Sequence, residues 1–358
     1  MTRLIRAAID TAALRANLAR IKAVAPTSRV IAVVKANGYG HGASAVARAL
    51  DAADAFGVAR LEEGIELRAA GVTRPILLLE GIVTREQLQA AAHHRFDLVV
   101  HEPSQLALLE AWRGPQGFAL WMKLDTGMHR LGFSAEEAVA VLARLGALAV
   151  PALQLRVMTH FACADERGSS VTREQIARFE AAVAALGLEA SLCNSAGIFG
   201  WPAAHGSWVR PGLSLYGVSP FADESAASLG LIPVMTLTTT VIATRRVARG
   251  ECVGYGHLWR APRDSRVAIL AAGYADGLLR SLPGGSPVVI LGRRAPLVGR
   301  VSMDMVAVDI TELPGVEVGT TAELWGRSLP VEEVAAHAGT LAYELLCGIT
   351  QRVELQTI

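Results

Sequence analysis

Short apolar runs alternate with helix-like segments through about two thirds of the chain, from residue 10 to residue 230. Strands that are apolar on both faces and separated by helices are typical of a parallel sheet covered by helices. The pattern predicts an α/β fold, and roughly eight such units favour a TIM-type (β/α)8 barrel over a doubly wound sheet, the alternative. The predicted strands lie at 29–34, 55–59, 75–80, 96–100, 118–124, 153–158, 188–193 and 207–217.

Helix signals lie between these runs. Apolar residues recur at spacings of three and four positions over 14–21 and over 176–186, which indicates one buried face on each helix. Asp10 stands just before the first of these helices, where an aspartate can cap free backbone N–H groups. The two segments are therefore predicted to be amphipathic helices.

The pattern changes near residue 230. Met235, Leu237, Thr239 and Val241 alternate with other residues at period two, and later apolar runs are separated by glycine and proline. Such alternation predicts strands in a β-rich domain. We expect a barrel domain over 10–230 and a mainly-β domain over 231–358, with a strand within residues 1–9 joining the second domain.

Charge and composition exclude several classes of function. The formal net charge is +1 and the arginines are dispersed, so we expect no nucleic-acid partner. The chain contains no apolar run of about 18 residues and no signal-like apolar segment at its start, so we expect no membrane span and a cytoplasmic protein. The four cysteines are far apart, which predicts reduced, mostly buried thiols and no metal site.

Lysine is scarce in this chain. Of 34 lysine and arginine residues, only Lys22, Lys35 and Lys123 are lysines, and Lys35 ends an apolar run in AVVKANGYGHG (32–42). One interpretation is a lysine whose amine reaches from a strand end to solvent. The other is an amine shielded from water, which can act as a nucleophile and form a Schiff base. The scarcity of lysine favours the second.

Polar side chains follow several predicted strands. Lys35, Asp125, His160 and Ser195 stand at strand ends, and Arg210 lies in the eighth apolar run. The carboxyl ends of barrel strands meet at one mouth, so we expect these side chains to converge there. The glycines that follow Lys35 do not form the GxGxxG pattern, so a dinucleotide site is not expected.

AVVKANGYGHG resembles the cofactor-lysine segment of the alanine racemases, which are fold-type-III pyridoxal-phosphate enzymes. Eight further segments are similar to that family in the same order. They are MKLDTGMHRLGF (122–133), MTHFACADE (158–166), CNSAG (193–197), RPGLSLYG (210–217), VGYG (253–256), GYADG (273–277), GRVSMDM (299–305) and YELLCGI (343–349).

The resemblance implies a homodimer that binds pyridoxal phosphate and interconverts L-alanine and D-alanine. Lys35 would hold the cofactor as an internal aldimine and serve as one catalytic base. Tyr255, from the partner subunit, would be the second base, since racemisation needs proton transfer on opposite faces of the α-carbon. His160 and Arg210 would support that tyrosine through hydrogen bonds.

The resemblance also implies the cofactor and substrate contacts. Arg210 would bind the pyridine nitrogen and leave it unprotonated, because arginine keeps its own proton. Carbamylated Lys123 would fix Arg130, which reaches the substrate carboxylate, and Met303 of the partner subunit would add a backbone N–H. The phosphate would be bound by Tyr39, Ser195, Gly212 and Tyr343.

Three other functions stay open at this level. One is a racemase for serine or for a broader set of amino acids, and another is an amino-acid decarboxylase of the same architecture. Such decarboxylases use a cysteine where this chain has Tyr255. The third is a non-catalytic pyridoxal-phosphate carrier, which would lack the more than 100 residues that follow the barrel here. The chain departs from the family pattern mainly at HLW (257–259) and near its last residues.

Overall fold

The structure, a computed structural model, describes residues 3–150, 153–183 and 186–358. Strand β1 (Arg6–Ile9) and helix α1 (Thr11–Val24) come first. The side chain of Asp10 accepts a hydrogen bond from the Ala13 backbone N–H at 2.9 Å, and Leu14, Leu18 and Ile21 are buried. The predicted helix and its cap are thereby confirmed.

Eight parallel strands close into a barrel, each paired with the next and the last paired with the first. Helices cover the outside, so the predicted (β/α)8 barrel is confirmed. The strands are β2 (Arg29–Val33), β3 (Ala55–Val58), β4 (Ile76–Leu78), β5 (Asp97–Val100), β6 (Ala119–Lys123), β7 (Gln154–Met158), β8 (Glu189–Ser191) and β9 (Trp208–Val209). The helices of this region are α2 (Lys35–Tyr39), α3 (Ala43–Ala49), α4 (Leu61–Ala69), α5 (Arg85–His93), α6 (Pro103–Glu110), α7 (Ala138–Gly146), α8 (Ser170–Val183) and α9 (Ser195–Gly200).

Two barrel elements differ from the sequence prediction. The eighth strand covers only two residues of the predicted 207–217. Pro211 has no N–H to continue a ladder, although its carbonyl still accepts from the Val33 N–H at 3.0 Å, and a 3-10 turn (Leu213–Tyr216) follows. Helix α8 is described as far as Val183, residues 184 and 185 lie outside the described residues, and Leu186 is 39% exposed, so the predicted buried face does not extend to Leu186.

The remaining strands belong to a second, mainly-β region, as predicted. They are β10 (Met235–Val247), β11 (Cys252–Val253), β12 (Trp259–Arg260), β13 (Ser265–Leu270), β14 (Pro287–Ile290), β15 (Arg293–Val298), β16 (Val306–Asp309), β17 (Thr321–Trp325) and β18 (Glu354–Thr357), with helices α10 (Val331–Ala338) and α11 (Ala342–Cys347). Seven of these strands join β1 in an eight-stranded sheet with the order β13-β16-β15-β14-β17-β10-β1-β18, in which β13 also pairs with β10, whereas β11 and β12 form a separate two-stranded sheet. β1 therefore lies between β10 and β18, antiparallel to the first and parallel to the second.

The faces of β10 match its sequence period. Met235, Leu237, Thr239 and Val241 are all buried, which confirms the predicted apolar face.

The four cysteines are free thiols, but only Cys193 is buried and Cys347 is exposed, so the expectation of mostly buried thiols was wrong. No helix in the described part of the chain has the length and apolar character needed to cross a bilayer.

Candidate active site

A cavity of about 410 Å³ opens at the carboxyl-terminal ends of the barrel strands. It collects side chains from β2, β6, β7 and the loops that follow β8 and β9, with one tyrosine from α11 of the second sheet region. Parallel barrel strands bring their carboxyl ends to one mouth, which explains the convergence. Nine residues singled out in the sequence line it: Lys35, Tyr39, Lys123, Arg130, His160, Ser195, Arg210, Gly212 and Tyr343.

Lys35 follows β2 directly and faces this cavity. The residue is exposed, so the expectation that it is shielded from water was wrong for this single chain. Residues on the strand before it are buried, whereas Lys35 begins the turn that leaves the barrel. The buried strand thus positions the Lys35 amine at the mouth of the barrel but does not bury it.

The turn after Lys35 has a left-handed backbone. The φ angles of Ala36, Asn37, Gly38 and Tyr39 lie between 52° and 63°. Residues with a Cβ avoid this region, so such a turn must be held by its surroundings. Glu63 Oε1 accepts from the Ala36 N–H at 2.7 Å, and Asn37 Oδ1 accepts from the N–H of Ala43 at 2.9 Å. The turn places Tyr39 in the cavity beside Lys35.

Hydroxyl groups and a glycine form one wall of the cavity. A Cβ added to Gly212 would lie 2.3 Å from the Tyr39 hydroxyl oxygen, so only glycine allows this approach. Ser195 Oγ accepts from the N–H groups of Gly212 and Ser214 at 3.1 and 3.2 Å. Burial raises the pKa of Tyr343 to about 12 and that of Tyr39 well above its usual range, so both phenols keep their protons. This wall presents neutral hydrogen-bond donors.

The other wall is cationic. Lys123 is buried at the end of β6, and burial, with help from neighbouring Arg210 and Arg130, lowers its pKa to about 8. Desolvation, reinforced by Arg210 and Lys123, holds the pKa of His160 well below its usual range, so its imidazole is neutral. A cluster of cations in one cavity favours an anionic ligand.

Arg210 is anchored by the barrel itself. Its Nη1 donates to the carbonyl oxygen and hydroxyl of Ser191 at 2.9 and 2.6 Å, and its Nη2 donates to the Thr159 carbonyl at 2.6 Å. Burial lowers the Arg210 pKa to about 10, which still leaves the guanidinium protonated at neutral pH. The side chain is therefore a fixed donor and not a mobile cation.

Two residues named from the sequence lie away from this cavity. Tyr255 is 71% exposed on a 3-10 turn after β11, and Met303 is 52% exposed in the loop before β16. Neither is among the lining residues of the described chain. The Met303 carbonyl accepts from the Ala275 N–H at 3.0 Å, which ties its loop to the GYADG turn. Within one chain the site is thus assembled without them.

The sequence did not indicate several supporting residues. Glu63, Thr159 and Ser214 hold the walls described above, and His41 was given no role although it lies in the lysine segment. The AVVKANGYGHG run itself was the available signal for His41. Thr159 and Ser214 stand within MTHFACADE (158–166) and RPGLSLYG (210–217), but only the fold shows their contacts, and Glu63 belongs to no segment that was singled out.

Comparison with protein families gives two matches that together cover most of the chain. The family model for the alanine racemase N-terminal domain matches residues 9–220, and that for the alanine racemase C-terminal domain matches residues 234–357. Among curated proteins, the alanine racemase of Vibrio parahaemolyticus is 49% identical over 351 residues, which is 98% of each chain.

Solved structures agree with these matches. The crystal structure of biosynthetic alanine racemase from Pseudomonas aeruginosa is 46% identical, with a TM-score of 0.94 over the full length of both chains. Alanine racemase from Bartonella henselae with covalently bound pyridoxal phosphate is 29% identical, with a TM-score of 0.89, also over both full chains. The similarity therefore extends through both regions of the fold.

Proposed function

Because the chain belongs to the alanine racemase family of pyridoxal-phosphate-dependent isomerases, we propose that it interconverts L-alanine and D-alanine in the cytoplasm. The observation that carries the proposal is the cavity, where a strand-end lysine faces both a wall of neutral donors and a wall of cations. We assign cofactor binding chiefly to the barrel domain, residues 10–230, and a β domain to residues 231–358 with 1–9, which contributes Tyr343 to its own cavity and Tyr255 and Met303 to that of the partner subunit.

The cavity residues fit pyridoxal phosphate. The close approach of Tyr39 to Gly212 leaves no space for a side chain there, and hydroxyls of Ser195 and Tyr343 face the same space. We assign the phosphate to these four residues and the covalent attachment to Lys35. When bound, the cofactor withdraws electrons from the α-carbon of an amino acid and so makes its proton easier to remove.

Arg210 is assigned to the ring nitrogen of the cofactor. Its guanidinium is protonated and held by three barrel oxygens, so it can donate a hydrogen bond but cannot accept a proton. A donor of this kind leaves the ring nitrogen unprotonated, which limits how much charge the ring withdraws. His160, neutral and beside Arg210, is assigned to the same hydrogen-bonded chain.

Two bases on opposite faces of the α-carbon are required for racemisation. Lys35 is assigned as the base on one face, and the partner subunit's Tyr255 as the base on the other. The exposure of Tyr255 and Met303, and their distance from their own cavity, support a homodimer in which each subunit completes the other's site. The partner's Met303 would donate its backbone N–H to the substrate carboxylate.

Lys123 is proposed to be carbamylated. Its amine is buried among Arg210, Arg130 and Lys35, and its lowered pKa gives more neutral amine, the form that combines with CO2. The amine gains a carboxylate from CO2 and loses one proton, so the cationic wall acquires an anion. That anion would orient Arg130 toward the substrate carboxylate through a paired hydrogen bond.

The test is incubation of the full-length protein with pyridoxal phosphate and L-alanine in heavy water, followed by chiral separation and mass analysis. D-alanine with one α-deuterium is expected. Unchanged L-alanine would contradict the proposal, and release of CO2 from another amino acid would instead indicate a decarboxylase. Faster turnover of serine than of alanine would indicate the broader racemase.

The Tyr255→Phe variant tests the second base. Removing the hydroxyl is expected to slow α-proton exchange from one enantiomer by about 10²-fold or more, and exchange from the other much less. Each direction is measured separately by deuterium incorporation at short times. Equal slowing in both directions would contradict the assignment of one base to each face.

A further inference from the structure

His41 is a buried histidine that the proposed mechanism does not use. It is 1% exposed, and its Nδ1 lies 2.8 Å from the Tyr39 carbonyl oxygen and 3.1 Å from that of Gly38. Carbonyl oxygens only accept hydrogen bonds, so Nδ1 carries the proton. Burial lowers the His41 pKa to about 4, so the ring is neutral at physiological pH. Its Nε2 lone pair has no hydrogen-bond partner among the described residues.

The imidazole ring is also held by an aromatic stack. Its centroid lies 4.5 Å from that of Tyr216, whose other neighbour is Tyr39 at 4.8 Å. The Tyr216 hydroxyl donates to the Val33 carbonyl of β2 at 3.1 Å. The stack therefore connects the barrel strand that ends at Lys35 with the tyrosine that faces Gly212.

The turn between these points needs such support. Asn37 and Tyr39 have left-handed φ angles of 53° and 52°, although both carry a Cβ. Glu63 and Asn37 hold the beginning of the turn, whereas the carbonyls of Gly38 and Tyr39 at its end both face His41. A Cβ at Gly40 would meet the Leu346 carbonyl oxygen at 2.0 Å, so the turn also packs on the helix that carries Tyr343.

We infer that His41 is a positioning residue for the phosphate site: its Nδ1–H fixes the Gly38 and Tyr39 carbonyls and so sets the place of the Tyr39 hydroxyl beside Gly212. The inference rests on the proposed function, because it treats this hydroxyl as a phosphate ligand. His41 itself lies outside the cavity lining and acts only through Tyr39.

Two substitutions separate the donor from the ring. His41→Phe keeps a stacking ring and removes the donor, whereas His41→Asn keeps an amide donor near the Nδ1 position and removes the ring. The full-length protein is freed of cofactor and titrated with pyridoxal phosphate and, separately, with pyridoxal, which lacks the phosphate. The dissociation constants are followed by absorbance and tyrosine or tryptophan fluorescence.

His41→Phe is expected to raise the dissociation constant for pyridoxal phosphate about tenfold, in line with loss of one buried hydrogen bond, and that for pyridoxal less than twofold. His41→Asn should restore most of the affinity. In a Tyr39→Phe background, His41→Phe should add no further loss. If His41→Phe does not fold, His41→Gln replaces it, because its amide reaches the Nε2 position instead, and it should bind about tenfold more weakly than His41→Asn.

The possible failures are distinct. A wild-type protein that does not bind pyridoxal phosphate would overturn the proposed function. Normal wild-type binding with an unchanged constant in His41→Phe would overturn only the positioning role. Equal weakening of pyridoxal phosphate and pyridoxal, or equal affinities in the Asn and Gln variants, would also overturn it, because a general packing role predicts those results.

Discussion

The two ends of the barrel treat charge in opposite ways. At the carboxyl-terminal mouth, Lys123 and Arg210 are buried close to Arg130, and neither forms an ion pair with a carboxylate of the described chain, although Asp125 is near enough to act on Lys123 electrostatically. At the amino-terminal end, Arg156 lies against Glu189 and Asp97, with its Nε 2.8 Å from Glu189 Oε2 and its Nη1 3.6 Å from Asp97 Oδ2. Cations stand at both ends, but the buried cation is held in ion pairs only at the amino-terminal end, whereas Glu80 and Asp125 at the mouth form no ion pair with Lys123 or Arg210 within the described residues.

Aromatic rings also contact the charged groups at the amino-terminal end. The Arg156 guanidinium carbon lies 5.2 Å from the ring centroids of both Trp121 and Trp208. The Trp208 indole N–H donates to Glu189 at 3.0 Å, and Arg29 pairs with the same carboxylate. At the amino-terminal end, paired charges close the barrel. At the carboxyl-terminal mouth, cations without an ion-pair partner in the described chain leave a place for an anionic ligand.

Lys35→Ala tests most directly whether the carboxyl-terminal mouth binds the cofactor. The variant should lose covalent attachment of the cofactor and at least about 10³-fold of the racemase rate, because nucleophile and base are removed together. Borohydride reduction and intact-mass analysis measure the attachment. Lys22→Ala is the matched control, because Lys22 is a surface lysine paired with Asp54 at 3.3 Å. A cofactor label that survives in Lys35→Ala would contradict the assignment.

Lys123→Met removes the amine that would carry the carbamate and keeps a side chain of similar length. We expect the kcat/KM for alanine to fall about 10- to 100-fold, because Arg130 loses its proposed anionic partner, and stability to stay level or fall, because Arg130 and Arg210 then lack that anion. Steady-state kinetics and denaturant titration measure the two effects. Lys123→Arg keeps the charge but cannot form a carbamate, and it should lose activity similarly. Full activity in Lys123→Arg, with no CO2 adduct on the wild type, would refute the carbamate.

Glu189→Gln, at the amino-terminal end, should reduce stability and leave activity nearly unchanged. Desolvation opposes ionisation of Glu189, but hydrogen bonds from Trp208, Arg29 and Arg156 outweigh it and lower its pKa to about 2. Because the carboxylate is 41% exposed, its loss should cost only about 1–2 kcal/mol of unfolding free energy, with kcat nearly unchanged. Glu110→Gln, which breaks the surface pair with Arg144, is the control and should cost less. A large loss of activity in Glu189→Gln would contradict the view that the charges at the amino-terminal end only stabilise the barrel.

Asp97 gives a pH-dependent effect. Burial raises its pKa to about 6 despite the nearby Arg156, so the folded protein binds a proton there more readily than the unfolded chain does. This group therefore stabilises the fold below pH 4, and the contribution declines by up to about 3 kcal/mol as pH rises from 4 through 6. Asp97→Asn should remove that decline. Denaturation midpoints of the two proteins are compared from pH 4.5 to 7.5 at fixed cofactor. The midpoint of the wild type should fall relative to that of Asp97→Asn as the pH rises, and parallel curves would contradict the raised pKa.

The sequence predicted the barrel well because its signals are local. Each strand is an apolar run, and Asp10 marks a helix start by its own side chain. The errors have two causes. Pro211, inside the eighth apolar run, limits the strand although the run continues, and the exposure of Lys35 depends on cavity walls that come from other parts of the chain.

The candidate site could be located from the sequence, but its supports could not. Strand ends converge in any barrel, which brought nine named residues to one cavity. The contact of His41 with the Gly38 and Tyr39 carbonyls depends on a left-handed turn that no spacing rule predicts. Likewise, Arg156 meets Trp121 and Trp208 only because of the register of neighbouring strands.

The position of β1 between β10 and β18 has a consequence for the order of assembly during translation. Ile9 pairs with Met235 and Thr357, so its two neighbours leave the ribosome more than 200 and more than 300 residues later. At about 5–20 residues per second, residues 6–9 wait at least about 10 s for their first partner. During this interval a four-residue segment with two open edges is available to chaperones or to other nascent chains, and the barrel can close before the eight-stranded sheet is complete.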